Sequence, residues 1–113
     1  MYKLAISTSG EYVSAAIFEE KLLASFVSKT NKGSTGILLN QINELFDKTK
    51  ASRNDLNALY LDVGPGYYTG LRIGLSVSQG LGAVLGIPII PVNGLDALAF
   101  AAHTSHRKIC SLI

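Results

Sequence analysis

Two turns carry the residues whose types and spacing suit chemistry. The first is Ser7-Thr8-Ser9-Gly10-Glu11, hydroxyls and a glycine between two apolar segments; the second is Gly64-Pro65-Gly66-Tyr67-Tyr68-Thr69-Gly70, three glycines between an apolar segment and a long helical one. Glycines that open a helix let backbone amides crowd toward an anion, and the helix dipole favours negative charge there. Thr8, Ser9, Gly10, Gly64, Gly66, Thr69 and Gly70 are therefore the phosphate-seat candidates. The spacing is G-x-G-x-x-x-G, which is not the dinucleotide fingerprint, and no Gly-Lys-Ser/Thr supplies a P-loop lysine. Arg72 is the nearby cation, expected in a salt bridge or hydrogen bond across the turn. Asp62, just before the glycines, reads as a strand-end carboxylate, and Glu11 lies on the far side of the first turn, so a metal-organising ATPase centre is poorly provided for.

The remaining chemistry-bearing residues are isolated. His103 and His106 flank Thr104-Ser105 in a polar loop and bind a metal only if other ligands join them. Cys110, the single cysteine, has no intramolecular disulfide partner and sits in an apolar run that suits a buried thiol. No Ser-His-Asp, Cys-His or paired-carboxylate arrangement stands out along the sequence.

The elements that must position the two turns follow from periodicity. Strands are expected over Tyr2–Ile6, Tyr12–Phe18 and Leu22–Ser28, an antiparallel meander with short connections. A helix capped by Ser34 or Thr35 runs to Lys48, with Leu38, Ile42, Leu45 and Phe46 at helical spacing. Leu56–Val63 is a strand, Thr69–Leu85 a helix ended by Gly86-Ile87-Pro88, Ile87–Val92 a strand, Leu95–Ala102 a helix and Lys108–Ile113 a last strand. Along the Thr69–Leu85 helix, Gly70, Gly74, Ser78, Gly82 and Gly86 recur every fourth residue and form a small-residue stripe. Each mid-helix glycine costs about 1 kcal/mol against alanine, so a close approach must compensate, either by this chain's own sheet or by a helix of another chain.

With 113 residues there is room for one complete domain, and ten basic against eight acidic residues, a net charge of +2, form no basic stripe. Nucleic acid is thus expected to be met indirectly. The stretch Leu71–Ile90 holds one charge, Arg72, yet its glycines and Pro88 argue against a membrane span, and no signal-peptide pattern follows Met1, which points to the cytoplasm. The order βββαβαβαβ, a meander followed by parallel crossovers in a mixed α/β sheet, is that of the ribonuclease-H-like and actin-like group.

Leu4-Ala5-Ile6-Ser7-Thr8-Ser9, the run Gly64 to Gly74, Gln79-Gly80-Leu81 and Ile87-Pro88 together resemble the amino-terminal domain of the TsaB (YeaZ) family, whose glycine motif is close to GPGSFTGLRIG. The resemblance covers essentially the whole chain and implies an actin-like protein of two related domains, with residues 1–102 as the first and 103–113 as the opening of the second. It implies a non-catalytic partner of a TsaD-like enzyme in the complex that forms threonylcarbamoyladenosine on tRNA beside the anticodon, working with a TsaE-like ATPase and self-associating when alone. It also implies a pairing surface on the two helices, with Leu38, Ile42, Leu45, Gly74, Leu75, Ser78 and Gly82 as its candidate residues, and leaves ATP to a shared interface. The family usually has Asp-Thr-Ser where this chain has Ser7-Thr8-Ser9, which removes a carboxylate from the first turn. The metal-binding histidine pair of the catalytic relatives is missing from Gly36–Lys48. The competing readings are an actin-like nucleotide-binding ATPase or phosphotransferase and, with neither a zinc signature nor a nucleophile-base pair behind it, a glycoprotease-type peptidase.

Overall fold

A computed structural model describes residues 1–29 and 34–101. Its elements are β1 (Tyr2–Ser7), β2 (Tyr12–Phe18), β3 (Leu22–Lys29), α1 (Ser34–Thr49), a short 3-10 turn (Arg53–Asp55), β4 (Leu56–Asp62), α2 (Tyr68–Leu85), β5 (Ile89–Val92) and α3 (Gly94–Ala101). The capping roles of Ser34 or Thr35, the strand expected over Lys108–Ile113, and His103, His106 and Cys110 lie outside the described residues and side chains, as does the proposed domain boundary.

The sheet order is β3-β2-β1-β4-β5, with β1, β2 and β3 antiparallel neighbours and β1, β4 and β5 parallel. The meander and the later crossovers are therefore as expected. Register aligns the apolar residues in rows: Leu4 stands between Ile17 and Leu59, and Ile6 between Ala15 and Leu61. These side chains share one face, and α1 and α2 lie side by side on it. From α1, Leu38, Ile42, Leu45 and Phe46 complete the core, all 3% exposed or less. That stripe follows from one apolar residue per helical turn.

Where element ends differ from the sequence reading, hydrogen bonding gives the reason. Ile87 does not begin β5, because its N–H closes the end of α2 on the Gly82 carbonyl at 3.1 Å while Gly86 takes a left-handed φ of 66°. Helix α3 starts at Gly94 because the Asn93 side chain accepts from the Leu95 and Asp96 amides at 2.9 and 3.1 Å, an N-cap the sequence reading overlooked. Similarly, Ser52 caps the 3-10 turn through the Asn54 amide at 3.3 Å.

The opposite face of the sheet carries smaller residues. Ala5, Ser14 and Ala16 floor an open groove of about 510 Å³, with Tyr60 beside them and Ala97 and Leu98 of α3 on its rim.

Candidate functional site: two turns and the helix they seat

Strand β1 leads out to β2 on one side, whereas β4 leads through α2 to β5 on the other. The ends of β1 and β4 are thus a point where strand order reverses, the place where open α/β sheets form a crevice. Both chemistry-bearing turns sit there, and the structure brings them into direct contact.

The contact runs through hydrogen bonds and close backbone approaches. Tyr67 N–H donates to the Ser9 carbonyl at 2.8 Å, and Thr8 Oγ1 donates to the Gly70 carbonyl at 2.6 Å. A Cβ at Gly66 would overlap the Ser9 backbone, one at Gly70 the Thr8 carbonyl, and one at Gly74 the Thr8 hydroxyl. Glycine is required at these positions so that residues 8 and 9 can lie against α2. Thr8 and Ser9 are buried, Gly64 is buried with φ +98°, Thr69 is exposed, and Gly10 has open space around it. The phosphate-seat candidates are thus carried by two adjoining turns, with Ser9 against Gly66, Thr8 against Gly70, and Gly64 facing Leu71 instead.

Asp62 organises the junction. Its Oδ2 accepts from Ser7 Oγ at 2.8 Å and Ser9 Oγ at 2.6 Å, and its Oδ1 accepts from the Gly64 amide at 2.8 Å. Gly94 approaches the same carboxylate so closely that a Cβ would overlap it, and its N–H donates to the Gly64 carbonyl at 2.9 Å. One carboxylate thus gathers the ends of β1 and β4, the glycine turn and the start of α3. Ser7 stands beside Asp62 because Ile6 pairs with Leu61 in the preceding register position. Parallel register is invisible in a single sequence, which is why Asp62 read as a strand end and no more. Arg72 corrects the expectation of a polar bridge, since its guanidinium lies 5.4 Å from the centre of the exposed Tyr68 ring. Among the described residues, no group of three or more His, Cys, Asp or Glu is arranged to hold a metal ion, and no helix is long and apolar enough to cross a membrane.

The expected pairing residues divide sharply. Leu38, Ile42 and Leu45 are 0–2% exposed and belong to the core, and Gly74, Ser78 and Gly82 are buried on the inner side of α2. This corrects their assignment to a surface. The small-residue stripe admits the chain's own sheet, with Gly74 against Thr8 and Leu61 and Gly82 against Ile89. Leu75 alone of the seven is exposed, at 45%, and Val84, which the sequence reading passed over, is 84% exposed on the same helix.

A mixed sheet in this order, with two glycine-bearing turns meeting at its switch point, defines an actin-like, ribonuclease-H-like domain. The likeness to Thermus thermophilus RuvC in complex with a Holliday junction, TM-score 0.61 at 15% identity over 90% of this chain and 71% of that one, bears on the fold alone. Residues 22–113 match the family model described as TsaD, tRNA N6-adenosine threonylcarbamoyltransferase, and the chain belongs to this family. Its relatives include the tRNA threonylcarbamoyladenosine biosynthesis protein TsaB of Buchnera aphidicola subsp. Schizaphis graminum, 33% identical over 93% of this chain and 50% of that protein. YeaZ from Pseudomonas aeruginosa superposes with a TM-score of 0.83 at 31% identity, over 90% of this chain and 47% of that one. The TsaB resemblance read from the motifs thus holds, and the chain spans about half the length of the curated relatives it matches.

Proposed function

We propose that this chain serves as a TsaB-like partner subunit of a TsaD-like threonylcarbamoyltransferase in the machinery that forms threonylcarbamoyladenosine on tRNA, docking through the outer side of α2 and the adjoining α1. The observation that carries this reading is the division of α2. Its small-residue side is occupied by the chain's own sheet, while Leu75 and Val84 are exposed on its two opposite flanks, with Arg72 as the sole charge on the helix. Ile37 and Leu39 of α1 are exposed as well, 41% and 39%. Exposed apolar residues on two adjacent helices, with little charge among them on α2, suit the centre of a protein interface.

The names of the relatives supply the chemistry of the assembly, and the remaining assignments extend it. A TsaE-like ATPase is a further member, tRNA is met through the enzyme, and the same outer helical face pairs two copies of this chain when the enzyme is absent. The machinery is cytoplasmic. ATP is assigned to the interface shared with the enzyme. Co-purification with a TsaD-like enzyme tests the reading: wild type should be retained, and Leu75→Asp should be lost while still folding. Robust magnesium-dependent ATP hydrolysis by the chain alone would instead favour the ATPase alternative.

A further inference from the structure

The expected phosphate seat and the proposed partner helix form one mechanical unit. Thr8 is 1% exposed and Ser9 8%, so neither has surface to offer a partner. Both nevertheless hold α2 over its first two turns: Ser9 through its carbonyl on the Tyr67 amide, Thr8 through its hydroxyl on the Gly70 carbonyl. The close approaches at Gly66, Gly70 and Gly74 restrict the helix further. Advancing α2 by one residue turns it about 100° and brings a side chain onto the backbone of residue 8. Ser9 is itself tied to Asp62 through its hydroxyl at 2.6 Å, so the reference point is the rigid sheet.

We infer that Thr8 and Ser9 are positioning residues that fix the rotation of α2 and thereby aim Leu75 and the outer face of the helix at the partner enzyme. This inference rests on the proposed partner face. It assigns the hydroxyls of the first turn a role in assembly, acting through α2 rather than by contact with a ligand.

The test measures affinity of the full chain for a purified TsaD-like threonylcarbamoyltransferase, together with melting temperature, for Thr8→Val, Thr8→Ser, Ser9→Ala and Leu75→Asp. Thr8→Val keeps the volume and removes the donor, and it should bind roughly three- to tenfold more weakly, the range one hydrogen bond spans. Thr8→Ser, which keeps the hydroxyl, should stay within about twofold of wild type. Ser9→Ala should weaken binding in the same direction and stands in if Thr8→Val does not fold. A lowered melting temperature with unchanged affinity marks a merely structural role and overturns the inference, as does failure of both variants to fold. If Leu75→Asp abolishes binding while Thr8→Val and Ser9→Ala bind normally, positioning alone is refuted. If Leu75→Asp binds as wild type, the partner face itself is refuted.

Discussion

Replacing Gly74 and Gly80 separately by alanine isolates what the small-residue stripe does. Both lie well inside α2, so each substitution gains about 1 kcal/mol of helix propensity. Their surroundings differ: a Cβ at Gly80 meets nothing within 4 Å, whereas one at Gly74 overlaps the Thr8 hydroxyl and stands 3.3 Å from Leu61 Cδ1. Overpacking of this kind costs about 1–3 kcal/mol, and displacing Thr8 also loses its bond to the Gly70 carbonyl, about 1 kcal/mol more. Gly80→Ala should therefore stabilise the fold by about 1 kcal/mol, and Gly74→Ala should destabilise it by about 1–3 kcal/mol. At about 4–8 °C per kcal/mol for a domain of this size, the two melting temperatures should differ by at least about 8 °C. Thermal unfolding followed by circular dichroism, with urea titration as a second measure, gives both values. Equal shifts of the same sign would refute the claim that α2 is seated on residue 8.

Four further outcomes follow. Ser78 Oγ is buried and has no hydrogen-bond partner, so Ser78→Ala should leave stability unchanged or raise it by up to about 1 kcal/mol in urea titration. Leu59, fully buried in the middle of the sheet, should cost about 2–5 kcal/mol as Leu59→Ala, read as a lower urea midpoint. Asp62→Asn should cost about 1–3 kcal/mol in the same titration, because an amide oxygen can serve either the two serine hydroxyls or the Gly64 amide but not both. Arg53 lies 4.9 Å from the Phe46 ring centre and donates to Asn43 at 2.6 Å, yet it is exposed, so Arg53→Ala should lower stability by only about 0.5–1 kcal/mol.

The periodic elements were legible in the sequence. Tyr12–Phe18 has the bounds the pattern predicts, and the Leu38, Ile42, Leu45 and Phe46 spacing marks the buried side of α1. Gly86 was legible as a helix end because a left-handed residue there has few alternatives to glycine. What the pattern could not tell was which partner the stripe faces. Gly74 and Gly82 look alike for a helix on another chain and for the chain's own sheet, and only the approach of Thr8 and Ile89 decides between them. The Asp62 junction was hidden for a related reason: Ser7, Ser9, Gly64 and Gly94 meet one carboxylate only after three separate segments are brought together.

Reconstituted tRNA threonylcarbamoylation tests the central claim most directly. A TsaD-like enzyme, a TsaE-like ATPase and tRNA are supplied with threonylcarbamoyl-AMP, and modified adenosine is measured with wild-type chain, with Leu75→Asp, and with no added chain. The account predicts modification that depends on the wild-type chain and falls to the no-chain level with Leu75→Asp. Equal modification in all three reactions would contradict it.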